Sequence, residues 1–145
     1  MQIKYKKLSD SAIIPTRGSD DAAGCDLYAP KGGSWVIPPH ATVKVGINLA
    51  FEIPRGTFAA IFARSGLATK HGLRPANCVG VCDADYRGEY IVALHNDSDE
   101  SYTVQGGDRI AQIVILPFLS IDEFVPADEL TETERGDGGF GHSGK

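Results

Sequence analysis

Residues 42–53 alternate between apolar side chains and polar or small ones. Val43, Val45, Ile47, Leu49, Phe51 and Ile53 share one face, while Lys44, Asn48 and Glu52 share the other. A period of two sustained this long predicts a half-buried β-strand running through the whole stretch. Shorter β-type runs occupy residues 57–62, 89–96, 101–105 and 109–116, bounded by Gly, Pro, Asp or Asn, and residues 2–8 open the chain the same way. The 17 glycines and 8 prolines sit between these runs, where turns need them. Helical pattern is scarce. Only Ser65–His71 qualifies, with Ser65 placed to cap it and Gly72 to close it. Many short strands with frequent turn signals predict an all-β sandwich or barrel. No internal repeat interrupts this pattern. Residues 1–127 read as the β-domain. Apolar residues then thin out, and the charge and glycine content of residues 128–145 predict a mobile C-terminal arm.

Composition narrows the function classes. A chain of 145 residues can bury a real core. Its net charge of −5 argues against a general nucleic-acid binder, which needs clustered Lys and Arg. The one basic run, Lys4–Lys7, is interleaved with Tyr5 and reads as a solvated strand face. Cys25, Cys78 and Cys82 are odd in number and form no C-x-x-C, which fits free thiols in a reducing compartment. Cys78 and Cys82 are expected to pack as small hydrophobes. No signal-peptide pattern opens the chain, and its longest apolar stretch, residues 113–119, is too short to span a bilayer. A cytoplasmic or otherwise intracellular protein without a membrane or nucleic-acid partner is expected.

Four stretches and the arm carry candidate chemistry. In "FARSGLA", Arg64 offers a charged fork, and Ser65 and Gly66 begin the expected helix, whose N–H groups point forward. This is either an anion site or a capped helix with a surface Arg. In "NCVGVCDADYRGEY", Asp83 and Asp85 would share one face of an extended chain. Asp85-Tyr86-Arg87-Gly88 has turn composition, predicting a hairpin between Val79–Cys82 and residues 89–95 with Asp83 at its mouth. An Asp-rich hairpin without a ligand has the same composition. Gln112 interrupts the apolar run of "GDRIAQIVI" and needs a partner, either backbone or ligand. Asp21 or Asp26 in "DAAGCDLYA" can touch a metal's water shell or cap a turn. Gly139, Gly144 and Lys145 match the spacing G-x-x-x-x-G-K, but the strand that precedes a P-loop is missing. Phe140 in that glycine run suits stacking on a base. The four histidines lack metal-ligand spacing, so the chemistry is expected to run through carboxylate, water and Mg²⁺.

Taken together, "AGCDLYA", "ARSGLA", "GVCDADYRGEY", "GDRIAQIVI" and "RGDGGFGHSGK" resemble, in order and spacing, the five motifs of the trimeric deoxyuridine triphosphatases (dUTPases). The resemblance runs from about residue 20 to residue 145. It implies a jelly-roll-like β-fold and a homotrimer with active sites at subunit interfaces. It implies Mg²⁺-dependent hydrolysis of dUTP to dUMP and pyrophosphate. It matches Asp83 to the carboxylate that activates water. Tyr86 matches the ring against the deoxyribose, and Asn77, Gly80 and Ile91 match the segment that reads uracil. Arg64, Ser65, Gly66 and Gln112 match phosphate binders, and Asp26 a carboxylate linked to the metal through water. Arg135, Phe140 and Ser143 match arm groups that clamp phosphates and cover the base. Two positions depart from the family pattern: Cys82 stands where Ile or Leu is usual, and Cys25 where an aromatic or aliphatic residue is usual. The dCTP deaminases share this fold but require a different catalytic set.

Overall fold

The computed structural model describes residues 1–139. In chain order its elements are β1 (Lys4–Lys7), β2 (Thr16–Arg17), β3 (Cys25–Tyr28), β4 (Ser34–Ile37), β5 (Thr42–Gly46), β6 (Leu49–Glu52) and β7 (Thr57–Phe62). Then come α1 (Ser65–His71), β8 (Leu73–Pro75), β9 (Val79–Cys82), β10 (Ile91–Asn96), β11 (Tyr102–Gln105) and β12 (Arg109–Pro117). The strands pair antiparallel throughout. One sheet runs β2-β3-β12-β7-β9, a second β5-β10-β8, and β4-β11 and β1-β6 form two-stranded ladders. Leu27, Ile37, Val45, Leu49, Leu94 and Ile110 are sealed between them, giving an all-β, jelly-roll-like fold around one core. Among the described residues no helix is long and apolar enough to cross a membrane.

The long alternating run keeps its pattern but not its continuity. Val45, Ile47, Leu49, Phe51 and Ile53 are all buried. The strand nevertheless breaks at Asn48, whose φ of 56° lies in the left-handed region. Asn48 holds that conformation through its N–H to Glu89 Oε1 (2.9 Å) and its Nδ2 to Ser11 Oγ (2.9 Å). The break lets β5 pair with β10 and β6 with β1 while one apolar face stays on the core.

Two further expectations are corrected. Arg64, not Ser65, occupies the N-cap position of α1, extended at φ −84° and ψ 129° and without a side-chain cap. Its guanidinium is drawn to Asp26 instead, and Ser65 becomes the first helical residue. Gly72 closes the helix as expected, at φ 63°. The hairpin between β9 and β10 does not form. β9 completes the edge beside β7, while β10 lies between β5 and β8 in the other sheet. Each strand gains ladder bonds from partners distant in sequence, and the segment joining them crosses from sheet to sheet. The basic strand β1 is exposed at every position, in line with a solvated strand. Beyond β12 residues 118–139 form no strand or helix, and Leu119, Ile121, Phe124, Val125 and Leu130 are exposed.

Asn96 at the end of β10 is fully buried and fully used. Its Nδ2 donates to Ile37 O (3.0 Å) and Glu100 O (2.7 Å), and its Oδ1 accepts from the Ser98 N–H (3.0 Å) and hydroxyl (2.7 Å). Removing a buried amide strands its partners. Asn96→Ala should cost about 3 kcal/mol in urea unfolding. A loss below about 1 kcal/mol would show that the Asn96 bonds are not what ties β10 to β4.

Candidate active site

The sheet-to-sheet crossing leaves a cleft of about 290 Å³ between β9 and β10. Asn77, Gly80, Asp83, Tyr86 and Ile91 all line it, so the expected nucleoside and water-activating residues are brought together. Asn77 is presented by a tight turn. The Cys78 N–H reaches Pro75 O (3.1 Å), and the Val79 N–H reaches Asn77 O (2.6 Å). Between them Cys78 has φ 61°, a left-handed backbone costing a non-glycine residue about 1–2 kcal/mol. Cys78 is exposed, which corrects its expected role as a packed hydrophobe, because the turn points it away from the core. Gly80 sits so close to the next strand that a Cβ there would lie 3.0 Å from Ile61 Cβ and 3.3 Å from Asn77 Nδ2.

Asp83 is exposed, and among the described residues its carboxylate has no hydrogen-bond partner. The Tyr86 N–H donates to Asp83 O (3.2 Å), so residues 83–86 turn. Asp83 and Asp85 are therefore not on one extended face. Arg87 ties the turn down through Nη1 to Ala84 O (2.7 Å) and Tyr86 O (3.0 Å). The Tyr86 ring lies over Gly88, where any side chain would collide with it, and its hydroxyl donates to Glu89 O (3.0 Å).

Tyr90 supports this arrangement and was not singled out by its sequence context, although an aromatic closing the turn was a usable signal. It is 2% exposed. Its N–H donates to Leu49 O (2.9 Å), and its C=O accepts from the Ile47 N–H (3.0 Å). Its ring meets Phe51 edge-on at 4.8 Å and Tyr86 at 5.9 Å. The hydroxyl is buried without a hydrogen-bond partner. Burial, with the adjacent Cys82 thiol adding, pushes its pKa up to about 12. Burial also pushes the Cys82 thiol up, and the Asp83 charge pushes the same way. Cys82 thus behaves as the packed thiol that was expected.

A second cluster gathers the expected phosphate binders. Arg64 Nε donates to Asp26 Oδ1 (2.9 Å), and Arg109 Nη1 reaches Asp26 Oδ2 (3.4 Å). Arg64 Nη1 also donates to Arg109 O (3.2 Å). Asp26 is 17% exposed and Arg64 26%. The two guanidiniums line a cleft of about 200 Å³ together with Tyr102 and the Asp108 carboxylate. Arg109 was missed in the sequence, although the basic residue opening "RIAQIVI" marked it. Ser65 and Gly66 are exposed at the start of α1. Gln112 Nε2 donates to Ala63 O (2.8 Å), so its amide partner is backbone.

The described residues contain no group of three His, Cys, Asp or Glu able to cage a metal. Both Asp26 oxygens are already held by arginines. That donor set suits Mg²⁺, which keeps its waters and takes most of its ligands from substrate phosphates.

The two clusters do not meet within the chain. Cys82 faces Ala59 across the β7–β9 ladder, which puts Asp83 level with Phe58. Arg64 lies beyond Phe62, which faces both Val79 and Gln112. At about 3.3 Å per residue this offset is roughly 15–20 Å. Arg135 is exposed, and its Nε donates to Gly138 O (2.8 Å), apart from either cleft. Phe140 and Ser143 lie outside the described residues.

A family model described as dUTPase matches residues 10–144. The deoxyuridine 5'-triphosphate nucleotidohydrolase of Desulfitobacterium hafniense is 48% identical over 145 residues, covering 99% of this chain and 95% of the relative. The chain belongs to the dUTPase family. The Arabidopsis thaliana dUTPase is 46% identical over 141 residues, covering 97% of this chain and 82% of its own. The solved dUTPase of Staphylococcus bacteriophage 80alpha with dUPNHPP superposes with a TM-score of 0.89 at 28% identity, covering 99% of each chain.

The Tyr90 shift carries a sign. The folded state binds the phenol proton more tightly than the unfolded chain, so this contribution is intact below pH 10 and is lost as pH rises toward about 12. Tyr90→Phe should flatten the fall in stability over that window, read as urea midpoints at several alkaline pH values. An unchanged slope would mean the phenol does not titrate as its burial requires.

Proposed function

We propose that this chain, a dUTP diphosphatase by family, hydrolyses dUTP to dUMP and pyrophosphate with an Asp83-activated water. The observation that carries this reading is the β9–β10 cleft, which gathers Asn77, Gly80, Tyr86 and Ile91 around the free Asp83 carboxylate. The uracil edge meets the backbone at Gly80 and Ile91 and the Asn77 amide. Cytosine presents the wrong donor pattern to such a site and leaves buried polar groups unpaired. A C5 methyl is refused by crowding alone. The Tyr86 ring, held by Glu89 O, lies against the deoxyribose and leaves no room for a 2′-hydroxyl.

Asp83 takes a proton from water as its oxygen bonds to the α-phosphorus. The bond from that phosphorus to the bridging oxygen breaks, and pyrophosphate leaves. Arg64, Ser65, Gly66 and Gln112 hold the phosphates, and Asp26 fixes the arginine fork that does so. Substrate phosphates and waters would hold Mg²⁺, with Asp26 as the carboxylate that could meet it through water, and it would supply positive charge to offset the triphosphate. The offset between Asp83 and Arg64 favours sites shared between copies, as in a homotrimer, because their two clefts share no lining residue within one chain. Residues 128–145 then act as an arm over a neighbouring site, with Arg135 and Ser143 on phosphate and Phe140 on the base. The product dUMP supplies thymidylate synthesis.

A panel of dUTP, dTTP, dCTP and UTP assayed for pyrophosphate, with and without Mg²⁺, tests the reading. Release from dUTP alone is expected, and a protein that leaves dUTP intact with Mg²⁺ refutes it. Asp83→Asn should bind dUTP yet turn over about a thousandfold more slowly. Wild-type turnover would take Asp83 out of its role. Ending the chain before Arg135 should leave a folded protein with about a hundredth of the activity or less. Unfolding would make the arm structural instead.

A further inference from the structure

A row of polar side chains crosses the smaller sheet behind the cleft. Thr42 and His95 are register partners in β5–β10, and His95 and Arg74 in β10–β8. Thr42 Oγ1 lies 2.9 Å from His95 Nδ1, and His95 Nε2 lies 3.3 Å from Asp97 Oδ1. Asp97 accepts twice from Arg74, from Nε at 2.6 Å and from Nη2 at 3.0 Å. Hydrogen bonding to Arg74 holds the Asp97 carboxyl below the ordinary carboxylate value. This fork fixes a guanidinium in a way a lysine point charge cannot.

The third nitrogen of Arg74 turns toward the site. Nη1 donates to Pro75 O (3.4 Å) and to Cys78 Sγ (3.7 Å). Among the described residues these are the only side-chain hydrogen bonds to residues 75–79. That segment contains the turn presenting Asn77 and the left-handed Cys78. A non-glycine residue stays in that conformation only where its surroundings over-determine it. Backbone bonds hold the turn, and Arg74 adds the side-chain contacts to it.

We infer that Arg74 is a positioning residue for base recognition: its fork on Asp97 fixes the turn at residues 75–78, and through it the Asn77 amide in the cleft. The inference rests on the reading of that cleft as the uracil site. Arg74 touches no substrate itself. Asp97 acts through it, and His95 and Thr42 extend the row that steadies Asp97.

The test compares Arg74→Lys, Asp97→Asn and the double variant with wild type, measuring kcat and KM for dUTP and dCTP together with melting temperature. Each single variant should raise KM for dUTP about fivefold with kcat within about twofold, because the pair is half-exposed and its loss displaces rather than removes Asn77. The preference for dUTP over dCTP should narrow, and the double variant should be no worse than either single. Unchanged KM and preference in both singles overturn the inference. So does a joint fall of kcat and melting temperature with preference intact, which is the signature of a merely structural pair. An active wild type with unaffected variants removes the positioning role alone, whereas a wild type inert toward dUTP removes the uracil site and this inference with it.

Discussion

Tyr90 sits where the chain leaves one sheet and enters the other, and both its backbone groups and its ring are held there. The bonds to Leu49 O and from the Ile47 N–H add it to the edge of the strand run that also carries Phe51. The edge-on contact with Phe51 seals the ring into the core. Because that anchor is fixed, residues 83–89 must bridge the gap between sheets as an open turn. The cleft is the space under that bridge, and Tyr86 and Asp83 are the side chains the bridge displays. The hydroxyl has only the weak Cys82 thiol beside it, and burial of the ring offsets what this poor pairing costs.

The phosphate cluster follows a different logic. Asp26 lies in a strand flanked by β2 and β12, and it faces Arg64 from the loop before α1 and Arg109 from β12. One carboxylate between two guanidiniums orders both forks. On the proposed function such a site is organised before an anion arrives, which lowers the cost of ordering long side chains on binding. It is also why the helix does without a side-chain cap: the residue at that position is committed to Asp26.

The two clusters sit at opposite ends of β7, and on the proposed function they divide the labour between base and phosphate. A hydrolase needs them on one substrate. On the proposed function, the offset between them turns a property of one chain's register into a reason for assembly and for an arm that serves a neighbouring site.

Much of this was legible in order along the chain. The strand runs, the helix and the all-β class follow from periodicity, turn chemistry and local composition, because those signals act between near neighbours, while the motif residues were named through the family resemblance. Asn77, Gly80, Asp83, Tyr86 and Ile91 could be named from "NCVGVCDADYRGEY" and its continuation, and they do converge. The partners of the strands could not be read. The run at residues 42–53 looked continuous because alternation records which face is buried and not which strand lies alongside, so the left-handed Asn48 was invisible. The β9–β10 hairpin looked natural because adjacency in sequence is the only pairing evidence a sequence displays. Arg109 and Tyr90 carried a local mark in residue type alone, and the row from Thr42 to Arg74 carried none, since the contacts that give these residues their roles join strands far apart in sequence. The sequence alone thus determined which residue types line the site, and the tertiary structure alone decided which of them face one another. Packing energy depends on both sheets closing at once, and no single segment encodes that.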